Sequence, residues 1–195
     1  MRLIVGITGA TGTIYAVRAL ERLRDAGVET HLVLSRWGAR TLLHETRYTV
    51  AQVEALATEV HAPNDLGASI ASGSCRADGM IIAPCSMKTL GAVAHGVGDG
   101  LIHRAADVTL KERRRLLLVV REAPLSEIHL SNMLTLARMG SIILPPMPAF
   151  YTHPTSVDDI IDHTVSRILD QFGIDVPGTN RWSGTMHVGH AQAGD

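Results

Sequence analysis

The stretch GMIIAPCSMKTL, residues 79–90, decides the fold. Gly79 to Ala83 form a continuous apolar run with no polar alternation, which marks a strand buried on both faces. Pro84 and Cys85 close that run, and a helical segment follows over roughly 86–95. Ser86 and Thr89 stand three residues apart at this junction. That is the spacing of a helix N-cap, and equally a pair of hydroxyls set where a helix N-terminus meets an anion.

The same alternation repeats on either side. LIVGI (3–7), THLVLS (30–35), RLLLVV (115–120) and SIIL (141–144) are short apolar strands. Between them lie a helix reaching about Ala26, a helical stretch beginning near Arg36, and a helix that Ser126 would cap. In that last helix Leu130, Met133, Leu134 and Ala137 recur at helical spacing; Val157, Ile160, Ile161, Thr164, Val165, Ile168 and Leu169 repeat the pattern further on. Apolar strands separated by helices predict an α/β fold with a parallel sheet covered on both faces. The segment 60–76, with its PND and SGS turns, reads as a long loop. Residues 1–177 read as a single domain, and 178–195 as a tail that orders only where something holds it, around Trp182.

Composition narrows the function classes. Of the 195 residues 46% are hydrophobic but only 4% aromatic, so the core is aliphatic. A net charge of -1 with scattered Lys and Arg gives no nucleic-acid footprint. No stretch reaches the roughly 18–20 apolar residues that span a bilayer, and the N-terminus lacks a signal-peptide pattern. A reduced, cytoplasmic protein is expected. Cys75 and Cys85 read as small buried fillers, and the ten histidines show no metal-ligand spacing, so no metal is assigned.

Ligands of such sheets bind at the carboxyl ends of the strands. After the first strand comes TGATG (8–12), then Ser35, then Pro84–Thr89, then REAP (121–124), then PPMPAFY (145–151). No GxGxxG and no acidic residue ends the second strand, which disfavours NAD, and there is no P-loop motif. A mononucleotide with one phosphate, such as FMN, needs only a small anion cradle with hydroxyls, and Thr11, Ser35, Ser86 and Thr89 provide them. Lys111, Arg121 and Arg167 would be surplus to one phosphate and ask for a second anion. Read alone, Lys111 is a solvated helix end, Glu45 a surface carboxylate and Tyr151 ordinary packing.

In GITGATG, PCSMKTL, RAADVTLKERR, REAPLSEIHLSNMLTL and PPMPAFYTHP the chain resembles the flavin prenyltransferases of the UbiX family, in the branch associated with phenolic and hydroxyarylic acid decarboxylases. The resemblance covers residues 1 to about 182. It implies a single flavoprotein domain with a three-layer, Rossmann-like or flavodoxin-like sheet, and a dodecameric homo-oligomer. It implies transfer of the dimethylallyl group of dimethylallyl monophosphate to N5 and C6 of reduced FMN, without a metal, and delivery of prenylated FMN to a UbiD-type decarboxylase. By motif, Gly9, Ala10, Thr11, Ser35, Ser86, Met87, Lys88, Thr89 and Arg121 would hold FMN. Tyr151, Arg167, Arg104 and Trp182 would bind the donor, and Glu45, Lys111 and Glu122 would be catalytic. Two other readings are an FMN-dependent decarboxylase of the cysteine-decarboxylase superfamily and a non-catalytic FMN-binding subunit. The first would want an Asn within 86–89 and a catalytic His; the second would not need a second anion site.

Overall fold

The computed structural model describes residues 1–179, 181, 182 and 184. Among these residues six strands run in chain order: β1 (Arg2–Ile7), β2 (Glu29–Leu34), β3 (Glu59–His61), β4 (Gly79–Cys85), β5 (Arg115–Val120) and β6 (Ile142–Ile143). They form one sheet in the order β3-β2-β1-β4-β5-β6, and every pairing is parallel. Among the described residues seven helices connect and cover it: α1 (Thr13–Asp25), α2 (Arg36–Glu45), α3 (Val50–Glu54), α4 (Met87–Ala94), α5 (Leu101–Lys111), α6 (Glu127–Arg138) and α7 (Val157–Asp170).

Period-two alternation divides the strand side chains between two cores. Leu3, Val5, Ile7, Ile81, Ala83, Leu117 and Val119 pack against α1, α2, α3 and α7. Ile4, Met80, Ile82, Cys85, Leu116, Leu118 and Val120 pack against α4, α5 and α6. The three-layer architecture is therefore as expected, and its two faces carry different helices. No helix among the described residues is long and apolar enough to cross a membrane.

Three local expectations are corrected. The 60–76 segment is not one loop: Glu59–His61 adds a sixth strand at the sheet edge, and Ser69–Ala71 forms a 3-10 turn. Its three residues include one apolar side chain, so the strand has no hydrophobic run to announce it. The stripe Leu130, Met133, Leu134, Ala137 is helical, but Leu130 and Leu134 face outward at 54% and 52% exposure. Within the chain α6 instead buries Asn132 and Leu136, with Asn132 Oδ1 3.1 Å from His95 Nε2. Cys85 is fully buried, but Cys75 is only half-buried.

Candidate functional site at the carboxyl ends of the strands

The rim above the carboxyl ends is laced by hydrogen bonds that join consecutive loops, among them Thr8 N to Pro84 O at 3.3 Å. Ser35 N donates to Ile7 O at 3.0 Å, tying the end of β2 to β1. Thr8 Oγ1 donates to Pro84 O at 2.6 Å and accepts from Ser86 N at 2.9 Å, tying β1 to β4. Arg121 N donates to Cys85 O at 3.2 Å, tying β5 to β4. The residues assigned to FMN from β1, β2, β4 and β5 are thus one connected rim.

Within it, Ser35 and Ser86 are both helix N-caps. Ser35 Oγ accepts from Gly38 N at 3.0 Å, and Ser86 Oγ accepts from Thr89 N at 3.3 Å. Ser86 Oγ also donates to the Oγ1 of buried Thr89 at 3.1 Å. Capping accounts for the spacing of Ser86 and Thr89, and it also fixes both hydroxyls beside the start of α4. Met87 and exposed Lys88 occupy the first turn of that helix.

Three consecutive backbone N–H groups, those of Gly9, Ala10 and Thr11, have no protein acceptor among the described residues. Consecutive unpaired amides before a helix make an anion cradle. The loop reaches that shape because Gly9 packs directly on α2: a Cβ there would lie 2.4 Å from Trp37 Cβ. Gly12 follows at φ +98, a conformation that glycine adopts without strain. The exposed side chain of Arg121 makes no hydrogen bond or ion pair among the described residues. Three free amides, a free guanidinium and three anchored hydroxyls are a donor set that fits a phosphomonoester.

Glu45 is bound to the same loop. Its Oε2 accepts from Gly12 N at 2.9 Å, Thr13 N at 3.2 Å and Thr13 Oγ1 at 3.1 Å. Partial burial pushes its pKa up, but hydrogen bonds from Thr11, Gly12 and Thr13 outweigh that and hold it below its usual 4.5. Glu45 is therefore a carboxylate capping α1. Glu122 is exposed beside Arg121, and its Oε1 accepts from Ala123 N at 3.2 Å.

Tyr151, Arg167 and Trp182 come together elsewhere, over α7. The Tyr151 hydroxyl is 3.4 Å from His163 Nε2, and its ring meets both the His163 and Trp182 rings edge-on at 5.7 Å. Arg167 lies one turn beyond His163 and pairs with Asp170 at 2.7 Å, while Arg181 holds the same Asp170 at 2.8 Å. Burial lowers the His163 pKa and the neighbouring Arg167 charge lowers it further, against Asp170. The imidazole is thus held neutral. Of the tail motif NRW, Asn180 lies outside the described residues, as do Ser183 and the chain from 185 onward; Trp182 itself sits against Tyr151.

Arg104 and Lys111 are on α5, against the opposite face of the sheet. Arg104 Nε donates to Ala71 O at 3.0 Å and its guanidinium pairs with Asp107 at 2.8 Å. Lys111 ends α5 and pairs with Glu112 at 2.5 Å, just before β5 begins at the amino edge. One chain therefore does not bring Lys111, Arg121 and Arg167 into a single cluster, because the sheet separates α5 from α7. The structure also adds two residues that the sequence does not single out. Thr8 is a buried polar residue that laces the rim, and His163 is the contact that orients Tyr151. A Thr directly after an apolar strand was the available signal for the first; for the second there was none.

Comparison with known proteins identifies the family. A family model described as Flavoprotein matches residues 1–169. The chain is 63% identical to a probable UbiX-like flavin prenyltransferase from Streptomyces sp. (strain D7), over 99% of this chain and 96% of that one. Two crystal structures are similar over their full length. AnUbiX (PadA1), in complex with FMN and dimethylallyl pyrophosphate, superposes with a TM-score of 0.94 at 54% identity, covering 95% of this chain and 98% of that one. A dodecameric FMN-dependent UbiX-like decarboxylase from Escherichia coli O157:H7 superposes with a TM-score of 0.93 at 57% identity, covering 94% and 100%. The chain belongs to the flavoproteins, and within them to the UbiX-like flavin prenyltransferase family.

Proposed function

We propose that the laced rim at the carboxyl ends of β1, β2, β4 and β5 binds FMN, and that the Tyr151–His163–Arg167 group receives the phosphate of dimethylallyl monophosphate. The observation that carries this reading is the unpaired donor set of Gly9, Ala10, Thr11 and Arg121 on one connected rim. When bound, reduced FMN would supply N5 and C6 as the positions that take the five-carbon unit.

The chain's own residues then have separate tasks. The amides of Gly9–Thr11 and the hydroxyls of Ser35, Ser86 and Thr89 hold the phosphate end of the cofactor. Met87 and Lys88 flank it, and Arg121 neutralises it. Breaking the allylic C–O bond leaves its electron pair on the departing phosphate, so cations positioned there lower the barrier. Arg167 and the Tyr151 hydroxyl serve that end, Trp182 excludes water from it, and the Glu122 carboxyl moves a proton at the rim. Glu45 acts by fixing the glycine loop in place.

Arg104 and Lys111 fit this scheme only as contributions from another copy, since in one chain the sheet stands between α5 and α7. The dodecameric state of the Escherichia coli relative supports a homo-oligomer of that kind. The product would pass to a UbiD-type decarboxylase. Anaerobic incubation with reduced FMN and dimethylallyl monophosphate, followed by mass spectrometry of the extracted flavin, tests the reading. A flavin heavier by one five-carbon unit is expected; unmodified FMN on folded, loaded protein would overturn it.

A further inference from the structure

The edge strand β3 brings a second set of chemical groups together, away from the rim. Its pairing sets Glu59 beside His31 and His61 beside Val33, two residues further along β2. His31 Nδ1 and His61 Nε2 face each other at 2.9 Å. The two oxygens of the Glu59 carboxylate stand 3.5 Å from those same nitrogens, one to each. Both imidazoles are buried, at 3% and 7% exposure, while Glu59 opens to solvent. Two imidazole nitrogens at hydrogen-bond distance cannot both carry a proton between them, so at least one presents a lone pair.

The outer side of His31 is also occupied. Its Nε2 lies 3.3 Å from Glu29 Oε1, the oxygen that Arg2 Nε holds at 2.8 Å. A carboxylate at Nε2 fixes the tautomer with the proton there and leaves the Nδ1 lone pair pointing toward His61 and Glu59. Metal-bound histidines are oriented in this way by an outer carboxylate.

We propose that His31 Nδ1, His61 Nε2 and a Glu59 oxygen bind one divalent transition-metal ion, Zn2+ by the chemistry of the set. A tetrahedral ion with bonds of about 2.0–2.1 Å spaces its ligand atoms roughly 3.3 Å apart. The nitrogens stand 2.9 Å apart and each is 3.5 Å from its own Glu59 oxygen, on either side of that spacing, and one ligand atom from each residue can be chosen with all three within 4.8 Å of one another. Binding replaces the ring-to-ring hydrogen bond: His61 carries its proton on Nδ1, and the nitrogens open by a few tenths of an ångström. The fourth position falls on the exposed Glu59 side, where water completes the shell. Two imidazoles and one carboxylate suit Zn2+ over Mg2+ or Ca2+, which take oxygen ligands. The ion would staple the three-residue strand β3 to β2. His31 and Glu59 sit in the amino half of their strands and His61 ends β3, and none of the three hydrogen-bonds to a rim residue, so the ion's task is to hold the sheet edge.

The test uses the full-length protein in its native assembly, stripped with a chelator and titrated with Co2+ and Zn2+. The expected result is one ion per chain, with the visible absorption of four-coordinate Co2+ and a melting temperature raised by Zn2+. Glu59→Gln, an exposed change that leaves the fold intact, should weaken binding at least tenfold and remove the thermal shift; His61→Asn should do the same. His187→Ala with His190→Ala should leave both intact. No stoichiometric binding by the wild type would overturn the site, as would equal affinity in Glu59→Gln, or loss of binding on removing His187 and His190.

Discussion

The hydroxyl of Thr8 donates to the carbonyl of Pro84 at 2.6 Å and accepts the amide of Ser86 at 2.9 Å, so one buried side chain joins the ends of β1 and β4. Both partners lie on the loop that presents Ser86 and Thr89. Thr8→Val keeps the shape but leaves the Ser86 amide without its acceptor, while Pro84 O keeps the 3.3 Å bond from Thr8 N. A loss of about 1–3 kcal/mol in denaturant unfolding is expected, with weaker FMN binding. Thr8→Ser should restore both. FMN affinity unchanged in Thr8→Val would show that the lacing does not shape the site.

Gly9 is expected to be intolerant for a steric reason. The Cβ of Gly9→Ala would meet Trp37 Cβ at 2.4 Å, and a backbone-anchored carbon cannot yield as a flexible side-chain end does. The loop must shift away from α2 and carry its three free amides with it. FMN affinity should fall roughly tenfold or more, a displaced charge-assisted contact being worth that much. Adding Trp37→Gly, which removes that Cβ, to Gly9→Ala should recover part of it in a fluorescence titration.

Glu45 ties acid stability to the glycine loop. Its folded pKa is depressed below 4.5, so its contribution is complete above that value and is lost as pH falls through the lower folded one. Glu45→Gln removes the carboxylate cap of α1, a change worth about 1 kcal/mol. The melting-temperature gap between wild type and Glu45→Gln should be flat from neutral pH down to about pH 5 and should close in stronger acid. A gap independent of pH would show that the charge of Glu45 is not what holds the loop.

His163 should act through Tyr151. His163→Ala removes the 3.4 Å contact and frees the phenol, so the KM for dimethylallyl monophosphate should rise severalfold while FMN affinity stays the same. Because burial and Arg167 hold the imidazole pKa below 6.5, donor binding should stay constant down to about that pH and weaken below it. In Tyr151→Phe this pH dependence should vanish. If His163→Ala loses FMN instead, the residue belongs to the cofactor site.

Much of this was legible in the chain itself. Continuous apolar runs such as GMIIA and RLLLVV, set between helical segments, read as strands buried on both faces, and the polar or loop-forming stretch after each, PCSMKT and REAP, marks the binding edge. β3 escaped because Glu59, Val60 and His61 pair with β2 without any hydrophobic run. The same register is why His31 and His61, thirty residues apart, show no ligand spacing in sequence. Lys111 and Arg167 do not meet within one chain for a different reason. Residue type and helix period place each on a helix but do not say which face of the sheet that helix covers. The outward-facing Leu130 and Leu134 show the same limit: a helical stripe announces an apolar face without saying that this chain buries it.

The separation of two anion sites is the central claim, and FMN dissociation constants of Arg121→Gln and Arg167→Gln, measured side by side with prenyl transfer, test it most directly. Arg121 makes no ion pair among the described residues and Asp170 keeps Arg181 when Arg167 is changed, so both variants should fold. Arg121→Gln should bind FMN roughly tenfold or more weakly. Arg167→Gln should bind FMN as the wild type does, yet transfer the prenyl group far more slowly. Equal loss of FMN in both variants, or full FMN affinity in Arg121→Gln, would contradict the account.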